Sequence, residues 1–515
     1  MVLAPAAAKE FWDRPLSNSD KAKEVSDENL DKMIADLNPW LTSPLRYSQK
    51  VSFLLGMKYP RYQFLIGMGG GKTYLTLALF ANNEAERCLV CVPNVVNLAE
   101  WANQTQRHYP SMKCTVIDQK GSEARWKALE EGDLCVITYQ GLSGLLCDKV
   151  PGRRGKNKWE PSNKKIRDIG KLFQMLVHDE STSIKNPSGL PFRIARKLSK
   201  HVHYLYNLTG TPFDKDPIDL WSQFRIIDNG HSLGETLGLY RAVMFRQVDT
   251  HWGVTWEFKK NEKSRLARRL RHRSIRFSEA ECQDLPPAQG GLAGDNLMIL
   301  PAIMPKAHKK YYDALEKEFT SIQTGTVDAI ASAYTRMRMV SSGWLGAKDS
   351  EGERVEITFK DNPKLDAVIS KIQELDNEKV VVVHWFNHSG QIIADRLKKE
   401  KISFAHVYGK TPSKKKQAEL DRFRKPSGPQ VLLASNAISK GVNLQDACRY
   451  MIFFESPDSL IERKQMEARI QREGELKGHR YYYDATTVGT KDEDILAALK
   501  LGEDVFTYIV NRSTT

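Results

Sequence analysis

The stretch Phe64-Leu-Ile-Gly-Met-Gly-Gly-Gly-Lys-Thr73 decides the fold of this chain of 515 residues. Its first residues, Phe64–Gly67, are apolar and predict a buried strand, and the pattern after the glycines, Tyr74–Phe80, predicts a helix. A strand, a glycine-rich loop and a helix in this order are typical of a phosphate-binding loop in an α/β domain. A glycine-rich turn with a chance Lys-Thr would not need these flanking elements, so the context favours the phosphate-binding loop.

The loop supplies the residues that a nucleoside triphosphate and Mg²⁺ require. Gly69 and Gly71 allow backbone N–H groups to wrap around phosphates. Lys72 then reaches the β- and γ-phosphates, and the hydroxyl of Thr73 is a ligand for Mg²⁺. The strict spacing of the motif would place a glycine where this chain has Ile66, but the shorter core of the motif is intact. ATP and Mg²⁺ are therefore the predicted cofactors.

A pair of acidic residues ends another apolar run, Val177-His-Asp-Glu180. A strand-end carboxylate such as Asp179 is placed to hold the Mg²⁺ shell, and Glu180 can orient or deprotonate the attacking water. Such a pair more often caps a following helix. Its position downstream of a phosphate-binding loop makes the catalytic interpretation specific.

A third motif, Leu208-Thr-Gly-Thr-Pro212, also follows a predicted strand. Alone it would be a turn. After the two preceding motifs it indicates a loop in which Thr209, Gly210 and Thr211 couple the state of the nucleotide to neighbouring surfaces.

Elsewhere the chain alternates short apolar runs with longer helical stretches. In the first half the predicted strands are Phe64–Gly67, Cys88–Val92, Cys114–Asp118, Leu134–Tyr139, Met175–Glu180 and His203–Leu208. In the second half they are Val380–Phe386, Ile402–Tyr408, Gln430–Ser435, Tyr450–Glu455 and Arg480–Asp484. Near-continuous apolar strands with helical crossovers predict parallel sheets covered on both faces. We therefore expect an α/β protein with two such domains.

Changes in composition set the expected domain boundaries. Residues 1–38 form a polar N-terminal extension, 39–230 the first α/β domain, 231–362 a helical and basic insertion with the linker, and 363–515 the second α/β domain. Inside the insertion, Ala288–Gly294 is rich in glycine and is the best candidate for a flexible linker.

Charge and cysteine content restrict the functional class without deciding it. The net charge of +14 favours a polyanionic partner, although a basic solvated surface would give the same number. Cys88 and Cys91 form a CxxC inside an apolar run, without a second pair to complete a metal site. The apolar runs are much shorter than the roughly 18 residues of a transmembrane helix, and the first residues do not resemble a secretory signal. We expect a cytoplasmic protein.

A charged stretch in the second domain, Gln465–Arg472, carries the remaining catalytic candidates. As a helix, it places Gln465, Arg469 and Arg472 on one face. Two arginines on one face can clamp a transferring γ-phosphoryl group. The alternative is an ordinary solvated charged helix.

The order of these motifs resembles that of the Swi/Snf-like ATPases of helicase superfamily two, over roughly Pro39 to Leu496. Further matching segments are Leu45-Arg-Tyr-Ser-Gln49, Val92-Pro93 with Trp101, Ile137-Thr-Tyr139, the Lys-Asn element inside Asp179–Ser188, Asp219-Leu-Trp221, Ser439–Leu444, and Gly474 after Gln465–Arg472. The resemblance implies two tandem RecA-like domains, with helical insertions between them and ATP bound in a cleft that they share. It also implies movement along DNA, or its remodelling, driven by ATP hydrolysis, with duplex or branched DNA as the partner.

The resemblance also assigns individual roles. It implies nucleotide contacts from Gln49, Gly441 and Gln465, and DNA contacts from Thr138 and Tyr139. A single-strand or RNA helicase of the same superfamily is the alternative, against which the Lys-Asn element argues. A DNA-binding module that does not hydrolyse ATP is a second alternative, against which the intact catalytic positions argue.

Two departures from the family pattern bear on function. The acidic pair continues as Asp-Glu-Ser-Thr, where the family usually has Asp-Glu-Gly-His. The sequence therefore does not identify the residue that couples this site to the third motif. The fifth motif has Ser439 and Lys440 where chromatin remodellers carry small residues. Extensions like those of remodellers are not expected, since the motifs fill the chain, and we expect a lean viral or prokaryotic motor.

The basic segment Lys259–Arg276 has two leucines at helical spacing, with Arg265, Arg268 and Arg269 around them. One interpretation is a protrusion that contacts DNA through these arginines. The other is a solvated helix held in place by the leucines, and the sequence leaves both open.

Overall fold

The computed structural model describes residues 16–67, 69–151, 157–213, 217–250, 253–282, 288–292, 294, 296–321, 327–348, 353–409, 411–435, 438, 442, 444–471, 476, 478–502, 505 and 508. The chain divides into two compact units, unit 1 ending at Gln283 and unit 2 beginning at Asp284. Among the predicted site residues, Gly441 and Arg472 lie outside the described residues.

Unit 1 is built on a parallel sheet. Its strands are β1 (Arg61–Ile66), β2 (Cys88–Val92), β3 (Cys114–Ile117), β4 (Leu134–Thr138), β5 (Cys147–Pro151), β6 (Asn157–Pro161), β7 (Met175–Asp179), β8 (Tyr204–Thr209), β9 (Phe245–Thr250), β10 (Gly253–Phe258) and β11 (Ser274–Phe277). The large sheet has the order β11-β1-β8-β7-β2-β4-β3, and all its neighbouring pairs are parallel. The pairs β5–β6 and β9–β10 are antiparallel.

The helices of unit 1 connect these strands. They are Asp27–Leu37, Tyr47–Lys58, Lys72–Asn82, Val95–His108, Ser122–Glu131, Tyr139–Leu146, Asn163–Leu172, Leu190–Leu198, Leu220–Asp228, Leu237–Met244, Lys263–Leu270 and Glu279–Cys282. Alternate residues of the strands enter two separate apolar clusters: Leu89 and Cys91 of β2 lie in one, and Cys88, Val90 and Val92 in the other. Both faces of the sheet are therefore covered, as its continuous apolar strands require.

Unit 2 repeats the architecture. Its strands are β12 (Gln289–Gly290), β13 (Met298–Ala302), β14 (Trp344–Lys348), β15 (Arg354–Thr358), β16 (Val380–Val383), β17 (Phe404–Val407), β18 (Val431–Ala434), β19 (Tyr450–Phe453) and β20 (Tyr481–Thr487). The parallel sheet has the order β12-β20-β19-β16-β18-β17, with β13 also beside β20. Its helices are Lys306–Ser321, Val327–Ser341, Pro363–Glu374, Asn387–Lys399, Ser413–Arg424, Leu460–Glu467 and Lys491–Leu501.

The predicted fold class, an α/β protein with two parallel sheets, is confirmed. Each predicted strand corresponds to one in the structure, and β2 has the predicted bounds. Residues 231–362 do not form the separate insertion that was expected between the two domains. Instead, β11 completes the sheet of unit 1, and β13 pairs with β20 in unit 2. The predicted insertion is therefore divided between the two units.

The glycine-rich segment expected to be a flexible linker is instead attached to unit 2. Gln289 and Gly290 pair with β20. The backbone N–H of Leu292 donates hydrogen bonds of 2.9 and 3.2 Å to the two carboxylate oxygens of Glu467. These contacts fix a segment whose composition alone predicts flexibility.

Candidate functional site

The phosphate-binding loop has the backbone shape that its glycines predict. Gly69 and Gly71 have φ angles of 73° and 69°, in the left-handed region that favours glycine. Gly71 is the N-cap of the helix Lys72–Asn82, so the loop leads into a helix N-terminus, where backbone N–H groups and the helix dipole favour anions. The ammonium group of Lys72 donates to the backbone oxygens of Ile66 and Gly67, at 3.0 and 3.3 Å.

Gln49 lies against this loop. Its Nε2 donates to the backbone oxygen of Gly71 at 3.4 Å, and its Oε1 accepts from the backbone N–H of Arg46 at 3.0 Å. A Cβ on Gly71 would lie 2.2 Å from Gln49 Nε2, so the close approach also needs the glycine. The structure thus brings two separate motifs together, while the adenine-reading role of Gln49 stays a prediction.

Asp179 ends β7 and is held by two aromatic residues. The indole Nε1 of Trp101 donates to Asp179 Oδ2 at 2.9 Å, and the hydroxyl of Tyr139 donates to the backbone oxygen of Asp179 at 2.8 Å. Burial and the neighbouring charge of Glu180 raise the pKa of Asp179 to about 6, while the Trp101 hydrogen bond and the charge of Lys72 oppose the rise. A buried carboxylate in this state gains from a cation, since a cation favours its ionised form.

Glu180 has a strained backbone for a residue with a side chain. Its φ of 49° and ψ of 63° lie in the left-handed region. The Thr209 hydroxyl donates to Glu180 Oε2 at 3.3 Å and accepts from the backbone N–H of Thr211 at 3.2 Å. The acidic pair and the third motif are therefore in direct contact. Strain of this kind at such a position is typical of functional sites.

The structure corrects the predicted DNA contact of Tyr139, while that of Thr138 stays a prediction. Tyr139 is buried, and its hydroxyl is committed to Asp179, so this side chain supports the acidic pair and does not face a ligand outside. Thr138 is partly exposed, and its hydroxyl oxygen caps the helix Tyr139–Leu146 by accepting from the N–H of Gly141 at 2.9 Å.

The arginines of the basic segment separate into three environments. Arg269 was predicted to bind DNA, and this prediction is wrong: its side chain is fully buried and donates to the backbone oxygens of His231 and Ser232. Arg265 pairs with Glu262 at 2.8 Å. Arg268 is exposed on the helix Lys263–Leu270.

In unit 2 the helix that carries the sixth motif is shorter than predicted. It ends at Glu467, so Arg469 lies in the turn after it and does not continue the face of Gln465. Arg469 is buried, and its Nε donates to the backbone oxygen of Gln465 at 3.0 Å. Gln465 is also buried, and its Oε1 accepts no hydrogen bond from any residue that the structure describes.

Sequence reasoning missed a buried ion-pair network beside these residues. Arg463 is fully buried, and its Nε donates to Glu467 Oε1 at 2.7 Å. Its Nη2 donates to Asp484 Oδ2 at 2.9 Å. Its guanidinium carbon lies 3.4 Å from the ring centre of Phe453. Charged residues in a polar stretch gave no signal that one of them enters the core.

The residues of unit 1 fit a nucleotide with Mg²⁺. A glycine loop at a helix N-terminus suits phosphates, and a carboxylate with a hydroxyl suits Mg²⁺, which usually keeps several waters and the substrate phosphates as further ligands. In the described ranges no three His, Cys, Asp or Glu side chains are grouped as a metal site. Cys88 and Cys91 are buried in β2, and burial raises the pKa of both thiols. None of the helices described is both long and apolar enough to cross a membrane.

Two parallel-sheet units, the first with a phosphate-binding loop and a strand-end Asp-Glu pair, define the class of tandem RecA-like proteins. Residues 65–343 match the SNF2-related domain, and residues 363–474 match the helicase conserved C-terminal domain. Because the first match spans more than half of the chain, the protein belongs to the SNF2-related family. The resemblance to Swi/Snf-like ATPases of helicase superfamily two is thereby confirmed.

Individual relatives are distant. Protein p41 of Acyrthosiphon pisum secondary endosymbiont phage 1 is 24% identical over 438 residues, which cover 82% of this chain and 86% of p41. The DNA repair and recombination protein RAD54-like of Drosophila persimilis is 23% identical over 482 residues, which cover 83% of this chain but 58% of that protein. The Sulfolobus solfataricus SWI2/SNF2 ATPase core in complex with dsDNA is similar with 21% identity and a TM-score of 0.38, covering 92% of this chain and 97% of that one.

Proposed function

We propose that this protein is an ATP-dependent DNA translocase that couples ATP hydrolysis to movement along DNA or its remodelling. The observation that carries the proposal is the contact between Glu180 and Thr209, which joins the acidic pair to the third motif at the end of the sheet that also carries the phosphate-binding loop. A hydrolysing site needs this pair. A motor also needs a contact between this pair and a loop that changes conformation when ATP is hydrolysed.

In unit 1, each residue has one part in the proposed chemistry. Gln49 contacts the base, and Lys72 neutralises the β- and γ-phosphates. Mg²⁺, when bound, neutralises charge on the same phosphates, and Thr73 and Asp179 hold it. Glu180 accepts the proton of the attacking water.

In unit 2, Arg469 and Arg472 stabilise the charge that develops on the transferred phosphoryl group, and Gln465 and Gly441 contact the same nucleotide. Arg469 is buried and donates to the backbone oxygens of Gln465 and Val442, so we expect its guanidinium to exchange at least one of these contacts for one to phosphate. This exchange gives a physical reason for hydrolysis to depend on a conformational step.

DNA is the proposed partner, in duplex or branched form. The net charge of +14 favours a polyanion, and the RAD54-like relative is named a DNA repair and recombination protein. A motor that steps along DNA must hold it without reading bases, so contacts to phosphates should dominate. Of the predicted contact residues, Arg268 is the exposed arginine of the basic helix and Thr138 is partly exposed.

The test is steady-state ATP turnover with duplex DNA, single-stranded DNA, forked DNA and RNA compared side by side. We expect duplex or forked DNA to stimulate turnover at least as well as single strands, with little dependence on sequence. Stimulation by RNA alone would support the alternative, an RNA helicase of the same superfamily. DNA binding with no turnover under any condition would support a binding module that does not hydrolyse ATP.

A further inference from the structure

Beneath the acidic pair lies a group of four polar side chains that we call the polar bridge: Gln63 of β1, Ser181, Asn207 of β8 and Gln223. All four are fully buried. Buried polar groups cost free energy unless they are paired. Two of these four side chains lie inside neighbouring strands, one follows β7 directly after the acidic pair, and one lies on a helix, so their burial needs a structural or functional reason.

The hydrogen bonds of the polar bridge form one continuous path. Ser181 Oγ donates to Gln223 Oε1 at 2.7 Å. Gln63 Nε2 donates to Ser181 Oγ at 3.2 Å and to Gln223 Oε1 at 3.4 Å. Asn207 Nδ2 donates to Gln63 Oε1 at 2.9 Å. In these hydrogen bonds each amide NH₂ group donates and each amide oxygen accepts. One choice of orientation for the three amides is therefore consistent with the whole path.

One end of the path is at the acidic pair. Ser181 directly follows Glu180, the residue with the left-handed backbone. On the other side of the pair, the Nδ1 of His178 lies 2.9 Å from Asn207 Oδ1. The residues that flank Asp179 and Glu180 are thus both tied to the polar bridge, which restrains the pair from two sides.

The other end of the path is at the third motif. Gln223 Nε2 donates to the backbone oxygen of Pro212 at 2.6 Å, and Pro212 is the last residue of that motif. Gln223 lies on the helix Leu220–Asp228, and its neighbour Ser222 donates to the backbone oxygen of Lys185 at 2.7 Å. The acidic pair is therefore connected to the loop at Pro212 by a short series of hydrogen bonds, in addition to the direct contact of Glu180 with Thr209. A displacement of the pair can be transmitted to the loop through these bonds.

We propose that Ser181 and Gln223 are positioning residues that couple the acidic pair to the third motif. They thereby fill the place left open by the sequence Asp-Glu-Ser-Thr, where the family usually has Asp-Glu-Gly-His. Both side chains are fully buried, so neither is placed to contact a nucleotide. They act through the backbone of Glu180 on one side and that of Pro212 on the other. The inference rests on the proposed ATPase function and names how this chain regulates it.

The test uses the full chain with Ser181→Ala, Gln223→Met and the double variant. Ser199→Ala is the matched control, because Ser199 is also a buried serine of unit 1, and it donates to the backbone oxygen of Arg196 at the C-terminus of the helix Leu190–Leu198 that it caps. For each protein we would measure kcat and the KM for ATP with saturating duplex DNA, the melting temperature, and binding of a fluorescent ATP analogue.

We expect each single variant to lower kcat by about 5- to 20-fold, as coupling residues distant from a ligand do, with the KM and the binding of the analogue unchanged. The double variant should lose no more than the larger single loss, because both changes remove the same link. Ser199→Ala should match the wild type in kcat.

Other outcomes separate the two proposals. No ATP turnover by the wild type would overturn the proposed function and this inference with it. Wild-type turnover with an unchanged kcat in Ser181→Ala would overturn this inference alone, as would losses in the two variants that multiply in the double. If Gln223→Met does not fold, Ser181→Ala decides, because it removes only a hydroxyl group and leaves Gln223 Oε1 the contact with Gln63.

Discussion

The two units differ in the kind of polar group that they bury around their functional segments. Unit 1 places neutral amides and a hydroxyl beneath its acidic pair, in the polar bridge. Unit 2 places full charges beside its sixth motif: Arg463 with Glu467 and Asp484, and nearby Arg338 with Asp458 at 2.8 Å. The two sheets are alike, so the difference lies in what holds the functional segments to them.

This difference predicts different mechanical behaviour. A neutral hydrogen bond contributes about 1 kcal/mol net, so its partners can be exchanged at low cost. Removing one partner of a buried ion pair costs about 3–5 kcal/mol, because it leaves an uncompensated charge. We infer that the acidic pair of unit 1 is held by contacts that can rearrange during a cycle, while the sixth motif of unit 2 is carried on a rigid frame.

The largest expected effect tests the chemistry of unit 1 without touching its interior. Lys72→Ala removes the charge that we propose to contact the β- and γ-phosphates, and Gly69 and Gly71 keep the shape of the loop. ATP turnover should fall by orders of magnitude, while DNA binding without nucleotide and the melting temperature stay near the wild type. The measurements are steady-state ATPase and DNA titration, with Lys58→Ala as the control for loss of a lysine in the same unit. Turnover near the wild-type rate would remove Lys72 from the site.

The next effect tests the rigid frame of unit 2. Arg463→Met should lower the free energy of unfolding by about 3–5 kcal/mol, because Glu467 and Asp484 would be left buried without a cation. Gln63→Met in unit 1 should cost less, about 1–3 kcal/mol, since it leaves only neutral groups unpaired. Denaturant unfolding monitored by fluorescence gives both values.

A charge-balanced variant separates the cost of leaving buried charges uncompensated from the cost of losing side-chain packing. Combining Arg463→Met with Glu467→Gln and Asp484→Asn removes all three charges, and it should recover much of the stability lost by the single variant. If Arg463→Met and Gln63→Met cost the same, the contrast between the two interiors is wrong.

The fold could be predicted from sequence because its strands are continuous apolar runs. Cys88–Val92 and Met175–Asp179 are buried on both faces and need no knowledge of their neighbours to be identified. Among the strands that were missed, Ser274–Phe277 lies at the edge of its sheet, in the basic part of the chain, and its arginine is exposed. Edge strands bury fewer residues, so their pattern resembles that of a loop.

The candidate site likewise has parts that could be predicted from the sequence and parts that could not. The phosphate-binding loop and the acidic pair are local motifs and could be found directly. The contacts of Trp101 and Tyr139 with Asp179 depend on packing between distant segments, and spacing along the chain does not encode them. Arg269 could have been placed correctly, because it lies three residues after the buried Leu266 and therefore on the same face of its helix.

A smaller effect tests the buried carboxylate of unit 1. Its pKa of about 6 in the folded protein lies above the ordinary value of 3.8, so the ionised form of Asp179 is disfavoured by folding. This destabilisation is present above pH 6 and is relieved as the pH falls through 6 toward 3.8. Asp179→Asn should therefore raise the melting temperature at pH 8, with an advantage that shrinks by pH 5, while ATP turnover is lost.

Thermal unfolding without nucleotide and Mg²⁺ is the measurement, because a bound cation would stabilise the wild type selectively. Asp168→Asn, at a carboxylate on the helix Asn163–Leu172 of the same unit, is the control for loss of a negative charge. A melting temperature of Asp179→Asn below that of the wild type at pH 8 would contradict the expectation.

The smallest effect compares two neighbouring arginines and tests where DNA lies. Arg268 is exposed and Arg269 is buried against the backbone oxygens of His231 and Ser232. Each phosphate neutralised on duplex DNA contributes about 0.9 to the slope of log affinity against log salt. If the helix Lys263–Leu270 contacts DNA, Arg268→Ala should reduce that slope by about 0.9 and leave the melting temperature unchanged. Arg269→Met should lower the melting temperature, because it removes the donors from the backbone oxygens of His231 and Ser232, and should leave the slope as it is. Titration of duplex DNA at several salt concentrations measures the slopes, and an unchanged slope in Arg268→Ala would mean that the basic helix is a solvated surface and that the DNA is held elsewhere.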